Sequence, residues 1–274
     1  MASGTAFGKV HVWKTGAPGT AWDIVMPGGN LNNLQFSSSG ESLAVANRNI
    51  VLVNVRDHAQ VESVRNDHAN YGTVRFHRNG KTLLTLDGKG QILAIDLTTK
   101  AVRSVYCCTS IWGEVAFTPD GTQVAWAGHW PGILDFRSGV LLGRLSEKRE
   151  VMTFGPIATG KHGAIYMGSQ DGRAYQWDIN TRARVAQSPA QAGYIRTVAV
   201  LGETGWVAYA AEDGPVHIWQ PATGDSRRVE GAHTTSNLVF DVSRSRTAFG
   251  TSAGEVQFWD LVGNRLLATL PPVR

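Results

Sequence analysis

The sequence predicts an all-β fold, a seven-bladed β-propeller with six full four-stranded blades and a first blade lacking its inner strand. Two observations carry this reading. One position recurs as Trp13, Val53, Ile95, Phe136, Trp177, Trp219 and Trp259, at spacings of 40, 42, 41, 41, 42 and 40 residues. Around it the text repeats as VHVWK (10–14), IVLVN (50–54), ILAID (92–96), ILDFR (133–137), AYQWD (174–178), VHIWQ (216–220) and VQFWD (256–260). Each run is short, alternating and rich in β-branched or aromatic residues, which is the pattern of a strand. A period in the forties holding four such runs is the mark of a propeller blade.

The blades fall at about 1–27, 31–65, 71–106, 112–145, 151–188, 194–230 and 236–270, in one domain spanning 1–274. Each is expected to run through strands a, b, c and d. In blade two these are LNNLQF, SLAVAN, IVLVNV and AQVESV, and the later blades repeat the scheme. Blade one starts on strand b, because MASGTAFGKVHVWK (1–14) aligns with TAFGTSAGEVQFWD (247–260). Either the natural chain is longer at one end or blade one has three strands. A domain of a longer protein is the preferred expectation. In blade five, strand a lies within VMTFGPIATG (151–160), where Pro156 forbids an ordinary central ladder and a bulged or rearranged inner edge is expected. Between a and b stand turn formers such as SSSGES, HRNGKT and TPDGTQ, and between b and c stand DGKG, SQDGR and AEDGP.

Composition agrees. Forty-two per cent apolar residues and 31 glycines suit a core cut by many turns, and 18% charge suits buried strands. No run approaches the roughly twenty apolar residues of a membrane span, and the N-terminal text holds no apolar signal core. Cys107 and Cys108 are adjacent, so strand alternation would point them to opposite faces, suiting neither a disulfide nor a metal clip. A reducing, cytoplasmic setting follows. The net charge is +4, and arginines outnumber lysines by 19 to 7, favouring directed ion pairs and stacking.

These repeats resemble the WD40 family along essentially the whole chain. Trp177-Asp178 and Trp259-Asp260 are WD-type ends, and VAFTPDG (115–121) is close to the family's inner-strand phrase, with LQFSSSG (34–40) and VRFHRNG (74–80) as variants. The resemblance is to a divergent member. The family's polar network joins a loop His, a strand-b Ser or Thr, a b–c turn Asp and the strand-c Trp, and no blade holds all four. Blade five has Ser169, Asp171 and Trp177 without the His, and blade seven has His233, Thr251 and Trp259 with Ala253 at the Asp position. Stability is therefore expected from packing between blades.

Catalysis is not expected. The eight histidines scatter over different blades, no HxxxH or CxxC spacing occurs, and GKHG and DGKG are turn glycines that open no helix. No metal, cofactor or membrane partner is expected. The resemblance implies instead a scaffold or sensor binding a protein or peptide on the top face, where d–a and b–c loops gather. That face would carry Arg48, Tyr71, Trp112, His129, Trp130, Arg149, Arg173, Tyr194 and Arg196. Trp130 in HWPG is the sharpest candidate, since aromatic and arginine anchors make interface hot spots; folding down onto a neighbouring blade is the alternative for its ring. The opposite face would carry Arg56, Arg78, Arg137, Arg182, Arg227, Arg228, Arg244 and Arg246, a basic plate able to attract nucleic acid or another polyanion. An attached effector domain in a longer chain would be a further partner.

Overall fold

The computed structural model describes residues 2–4, 8–13, 21–26, 31–58, 60–64, 72–107, 113–128, 130–145, 155–212, 214–233, 239–241, 246–251 and 255–270. The strands follow the period read from the sequence. Sheet one holds β1 (Ala2–Gly4), β2 (Lys9–Trp13) and β3 (Ala21–Val25). Sheet two holds β4 (Asn33–Phe36), β5 (Ser42–Ala46), β6 (Ile50–Asn54) and β7 (Gln60–Val64). Sheet three holds β8 (Thr73–Phe76), β9 (Thr82–Leu86), β10 (Ile92–Asp96) and β11 (Val102–Tyr106). Sheet four holds β12 (Val115–Phe117), β13 (Gln123–Trp126), β14 (Gly132–Asp135) and β15 (Leu141–Arg144), and sheet five β16 (Ile157–Thr159), β17 (Ala164–Gly168), β18 (Ala174–Asp178) and β19 (Arg184–Gln187). Sheet six holds β20 (Ile195–Val200), β21 (Val207–Ala211), β22 (Pro215–Trp219) and β23 (Ser226–His233). Sheet seven holds β24 (Val239–Asp241), β25 (Arg246–Gly250), β26 (Val256–Asp260) and β27 (Arg265–Leu270). Within every sheet the strands lie in chain order.

Of the seven expected blades, six full and a first lacking its inner strand, six are complete in the structure, so a count of seven full blades is not matched. Six sheets have four strands, and the N-terminal sheet has three, because the described chain provides no strand before β1. By contacts the chain divides into two compact units, Met1–Gln123 with Asp135–Val140, and Val124–Leu134 with Leu141–Arg274. In each unit the first strands of successive sheets touch, β4 against β8 and β16 against β20, so strand a is the inner strand.

The apolar cores form between consecutive sheets. In the first unit Val10, Val12 and Ile24 close on Leu43, Val45 and Val51, while Ala44, Ile50 and Leu52 close on Val74, Leu83 and Ile95. In the second unit Ala174 and Tyr166 meet Val207, Tyr209 and Trp219, and Val216 and Ile218 meet Phe249 and Trp259. The repeated position explains itself here. Val53, Ile95, Trp177, Trp219 and Trp259 are all buried, so any large apolar group serves and tryptophan is only one solution.

The aspartate beside that position has its own task. Asp96 accepts from the Thr98 and Thr99 amides, Asp135 from Ser138, Asp178 from Asn180 and Thr181, and Asp260 from Gly263. Each closes the c–d turn as an Asx turn. Four residues on, the chain turns left-handed, at Lys100 (φ 64), Gly139 (φ 71), Arg182 (φ 59) and Asn264 (φ 50).

Sheet five shows no bulge and no changed strand order at its described inner edge, where β16 pairs with β17 in regular register. The strand begins only after Pro156, whose carbonyl accepts from the Gly168 amide while its ring nitrogen stays outside the ladder. Another expectation fails. Cys107 is disulfide-bonded, not free. It stands just beyond the end of β11, where strand alternation no longer sets side-chain direction, so the argument against a bridge did not apply.

Candidate functional site

In the second unit the b–c turn of sheet four is held from below. Trp126 is fully buried, and its indole Nε1–H donates to the Trp130 carbonyl at 2.8 Å. Arg144 from β15 donates to the same oxygen at 2.8 Å, and its guanidinium lies 5.4 Å from the Trp126 ring centroid. Gly132 makes room, since a Cβ there would stand 2.5 and 2.6 Å from the Trp126 ring carbons Cζ2 and Cη2. The turn is thus fixed by two donors on one carbonyl while the Trp130 side chain remains 43% exposed.

The neighbouring loops are also locked. Gln191, in the d–a loop after sheet five, donates its amide to Gly172 O at 2.8 Å, and Ile195 donates to Ser169 O at 3.0 Å. The Gln191 side chain bridges onward to sheet six, donating to Tyr209 O at 3.3 Å and accepting from the Ala211 amide at 3.3 Å. Gly172 (φ 79) packs so closely on the Gln191 carbonyl that no Cβ fits. Arg173 donates to Ser188 O at 2.8 Å. On this frame stand Tyr194, 52% exposed, and Arg196, whose Nε donates to Glu212 at 3.1 Å with its guanidinium 5.9 Å from the Tyr194 ring centroid. Below them Tyr175 donates to Asp171, and burial followed by that carboxylate pushes its pKa up to about 12. It stays protonated as a hydrogen-bond donor at neutral pH.

Of the residues expected on the top face, Trp130, Arg173 and Tyr194 occupy b–c and d–a segments of the second unit, while Arg196 is the second residue of inner strand β20. Arg48 is an exposed residue of a b–c turn in the first. Tyr71, Trp112, His129 and Arg149 lie outside the described residues.

The arginines of the opposite face are largely engaged. Arg56 pairs with Glu41, Arg182 donates to Leu142 O at 2.7 Å, and Arg227 donates to Val262 O and lies 5.7 Å from the Trp206 ring centroid. Arg228 sits across the ladder from His217, whose pKa is lowered by desolvation first and by that cation second. Arg78 and Arg137 are exposed. Arg244 lies outside the described residues and Arg246 is described only as strand backbone.

The structure adds a polar set that the sequence reading missed. Among inner-strand residues of the first unit, Asn33 Oδ1 accepts from Arg75 Nη1 at 2.9 Å, and Arg75 Nη2 donates to Glu114 at 2.9 Å. Gln35 Oε1 accepts from the Phe76 amide at 2.6 Å. The signal was present as polar residues at every second position of NLQF, TVRF and the run into VAF. It needed the knowledge that these strands are neighbours. Elsewhere, buried His11 bonds Asp23, which also receives Lys9 Nζ at 2.9 Å, and these contacts hold the Asp23 pKa down. Among the described residues no group of three or more His, Cys, Asp or Glu is placed to hold a metal, and no helix is long and apolar enough to cross a membrane.

No known family profile matches the chain. Telomerase protein component 1 of Rattus norvegicus is 32% identical over 122 residues, covering 43% of this chain and 4% of that protein. The same-named protein of Mus musculus is 32% identical over 123 residues, with the same shares. The chain thus spans a small fraction of the curated relatives it matches. The solved β-propeller domain of Cps50 (Swd1) from Myceliophteria thermophila superposes with a TM-score of 0.76 at 17% identity, covering 94% of this chain and 92% of that one. The β-propeller fold expected from the sequence is the fold of this chain.

Proposed function

We propose that this β-propeller is a non-catalytic scaffold or sensor domain that binds a protein or peptide through its b–c and d–a loops. The observation that carries the reading is the Trp130 turn. A large indole stands 43% exposed on a backbone clamped by Trp126 and Arg144. A rigid aromatic anchor loses little entropy on binding, as hot spots require. Tyr194 and Arg196 add a second aromatic–arginine pair on a loop frame that is itself hydrogen-bonded. The chain, acting as one domain over 1–274, serves as a module of a longer protein, an attached effector being one client. The likeness to a short part of a much larger protein, named as a component of telomerase, supports that reading.

The test is capture from native extract, with and without nuclease, using the intact protein and a folded Trp130→Ala/Arg196→Ala variant. A defined protein that survives nuclease and is lost with the variant is the expected result. Equal capture by the variant overturns the proposal. The alternative, polyanion binding by the opposite face, keeps exposed Arg78 and Arg137, but Arg56, Arg182 and Arg227 already have partners. It predicts recovery of nucleic acid that elutes steeply with salt.

A further inference from the structure

The outer strand of a propeller sheet is an open edge, and open edges are covered in folded proteins because they template pairing with other chains. Here the covering element is the c–d turn of the following sheet, and its left-handed residue does the reaching. His58 (φ 61), in the turn of sheet two, stacks on Trp22 of β3 with ring centroids 4.2 Å apart. Gly139, in sheet four, packs directly against the Val105 carbonyl of β11, and Arg103 of β11 donates to Phe136 O at 2.9 Å. In sheet five, Arg182 lies across Gly143 of β15 and donates to Leu142 O at 2.7 Å. Asn264, in sheet seven, accepts from the Glu230 amide of β23 at 3.2 Å, and Arg227 of β23 donates to Val262 O.

Sheet six breaks the series. Its left-handed residue is Gly224 (φ 81), and a Cβ there would meet nothing within 4 Å. The strand it would cover is β19 (RVAQ) of sheet five. Among the described residues no hydrogen bond links that turn to β19. Val185, at the bulge of β19, is 55% exposed. The ladder shows which groups face out. Ser188 donates to Ala174 O within the sheet, so by the alternation of antiparallel pairs Ala186 points inward and the N–H and C=O of Gln187 point outward. The slot therefore offers free backbone groups beside an exposed apolar side chain.

We propose that the uncovered edge of β19 is a docking slot for an extended segment of a partner protein, adding as a strand and carrying alternating apolar and acidic residues. Strand addition takes its affinity from the edge amides and carbonyls and its selectivity from the side chains alongside. The apolar requirement comes from Val185. The acidic requirement comes from Arg184, exposed at the start of the strand with its guanidinium 5.0 Å from the Tyr175 ring centroid, against which the opposite turn sets only Asp225, already bonded to Thr223 Oγ1 at 2.7 Å. The site lies on sheet edges, away from the Trp130 turn, and is separate from the loop-face reading.

The probe is a short fluorescein-labelled peptide of alternating valine and glutamate, titrated by anisotropy, with a valine–lysine peptide for comparison. Two variants close the slot in different ways. Gln187→Pro removes an outward N–H that the ladder does not use, a position where an edge strand tolerates proline. Gly224→Arg copies Arg182 onto the sheet-six turn, in the left-handed conformation that Arg182 itself adopts. Circular dichroism checks that both are folded. Leu266→Asp, at an exposed position of β27 in sheet seven, is the control. The acidic peptide should bind the unmodified protein and the control alike, and should lose about tenfold or more in affinity with either slot variant and with the lysine peptide. Equal binding to the unmodified protein and both slot variants overturns the proposal. So does a concentration-dependent dimer in sedimentation that Gly224→Arg abolishes, because the occupant would then be a second copy of this chain.

Discussion

Replacing Gly132 by alanine should destabilise the protein in a way that propensity alone would not suggest, because alanine is otherwise better than glycine in a strand. The new methyl would stand 2.5 and 2.6 Å from two ring carbons of Trp126 and 3.1 Å from Gly143 O. Trp126 cannot yield freely, being fully buried, tied by its Nε1–H to the Trp130 carbonyl and covered by Arg144. Overpacking of this kind costs about 1–3 kcal/mol. If the ring shifts enough to break its hydrogen bond, about 1 kcal/mol more is lost. A total of about 2–4 kcal/mol lowers the melting temperature by about 4–16 °C at this chain size. The assay is thermal unfolding followed by calorimetry. Gly72→Ala is the control, since its nearest neighbour would be Leu86 O at 3.8 Å and its φ is not left-handed; its melting should move by less than about 2 °C. A Gly132→Ala/Trp126→Leu double variant should be less destabilised than the sum of the singles, since removing the ring removes the clash. A Gly132→Ala protein that melts with Gly72→Ala would refute the reasoning, because the backbone would have absorbed the methyl without cost.

The remaining expectations are briefer. Asp120 has its pKa lowered to about 2, chiefly by hydrogen bonds from Thr118 and then Thr122. A depressed carboxylate contributes stability above its unfolded value near 3.8 that is lost as pH falls towards 2. Carbon-detected NMR titration should therefore show this carboxyl returning towards 3.8 in Thr118→Val. Arg75→Ala should cost about 1–3 kcal/mol in urea unfolding, because Asn33 and Glu114 lose their donor in a part-buried network. Arg56→Ala, whose pair with Glu41 is 77% and 52% exposed, should change stability by less than about 0.5 kcal/mol. Calorimetry of the whole chain should give one cooperative transition if the two compact units act as one propeller domain, and two separate transitions would count against that reading.

The expected basic face rested on counting arginines in turns, but Arg227 and Arg228 stand in strand β23 and Arg246 in β25. Arg182 and Arg227, moreover, spend their donors on carbonyls of adjacent sheets, which no count reveals. The expected aromatic site rested on Trp130 in a turn. The structure leaves that ring 43% exposed and supplies what the sequence lacked, the clamp beneath it.

What the sequence determined by itself was whatever depends on local periodicity. The recurrence from Trp13 to Trp259 marked the c strands, with Phe136 falling one residue past the end of β14, and alternation with turn glycines placed the b and d strands, because side-chain direction in a strand has a period of two wherever the strand lies. The start of β16 after Pro156 was legible for the same reason, as a missing donor is a property of one residue, but the bulge expected with it is absent from the described strand. What only the tertiary structure decided was which repeats touch. The bonds from Arg75 to Asn33 and Glu114, the reach of Arg182 to Leu142 and the empty space beside Gly224 all join residues roughly forty apart in the chain. A repeat of that length makes neighbouring blades look alike in sequence. The differences that create a site, a bare glycine where its counterpart is an arginine, gain their meaning only when the strands are side by side.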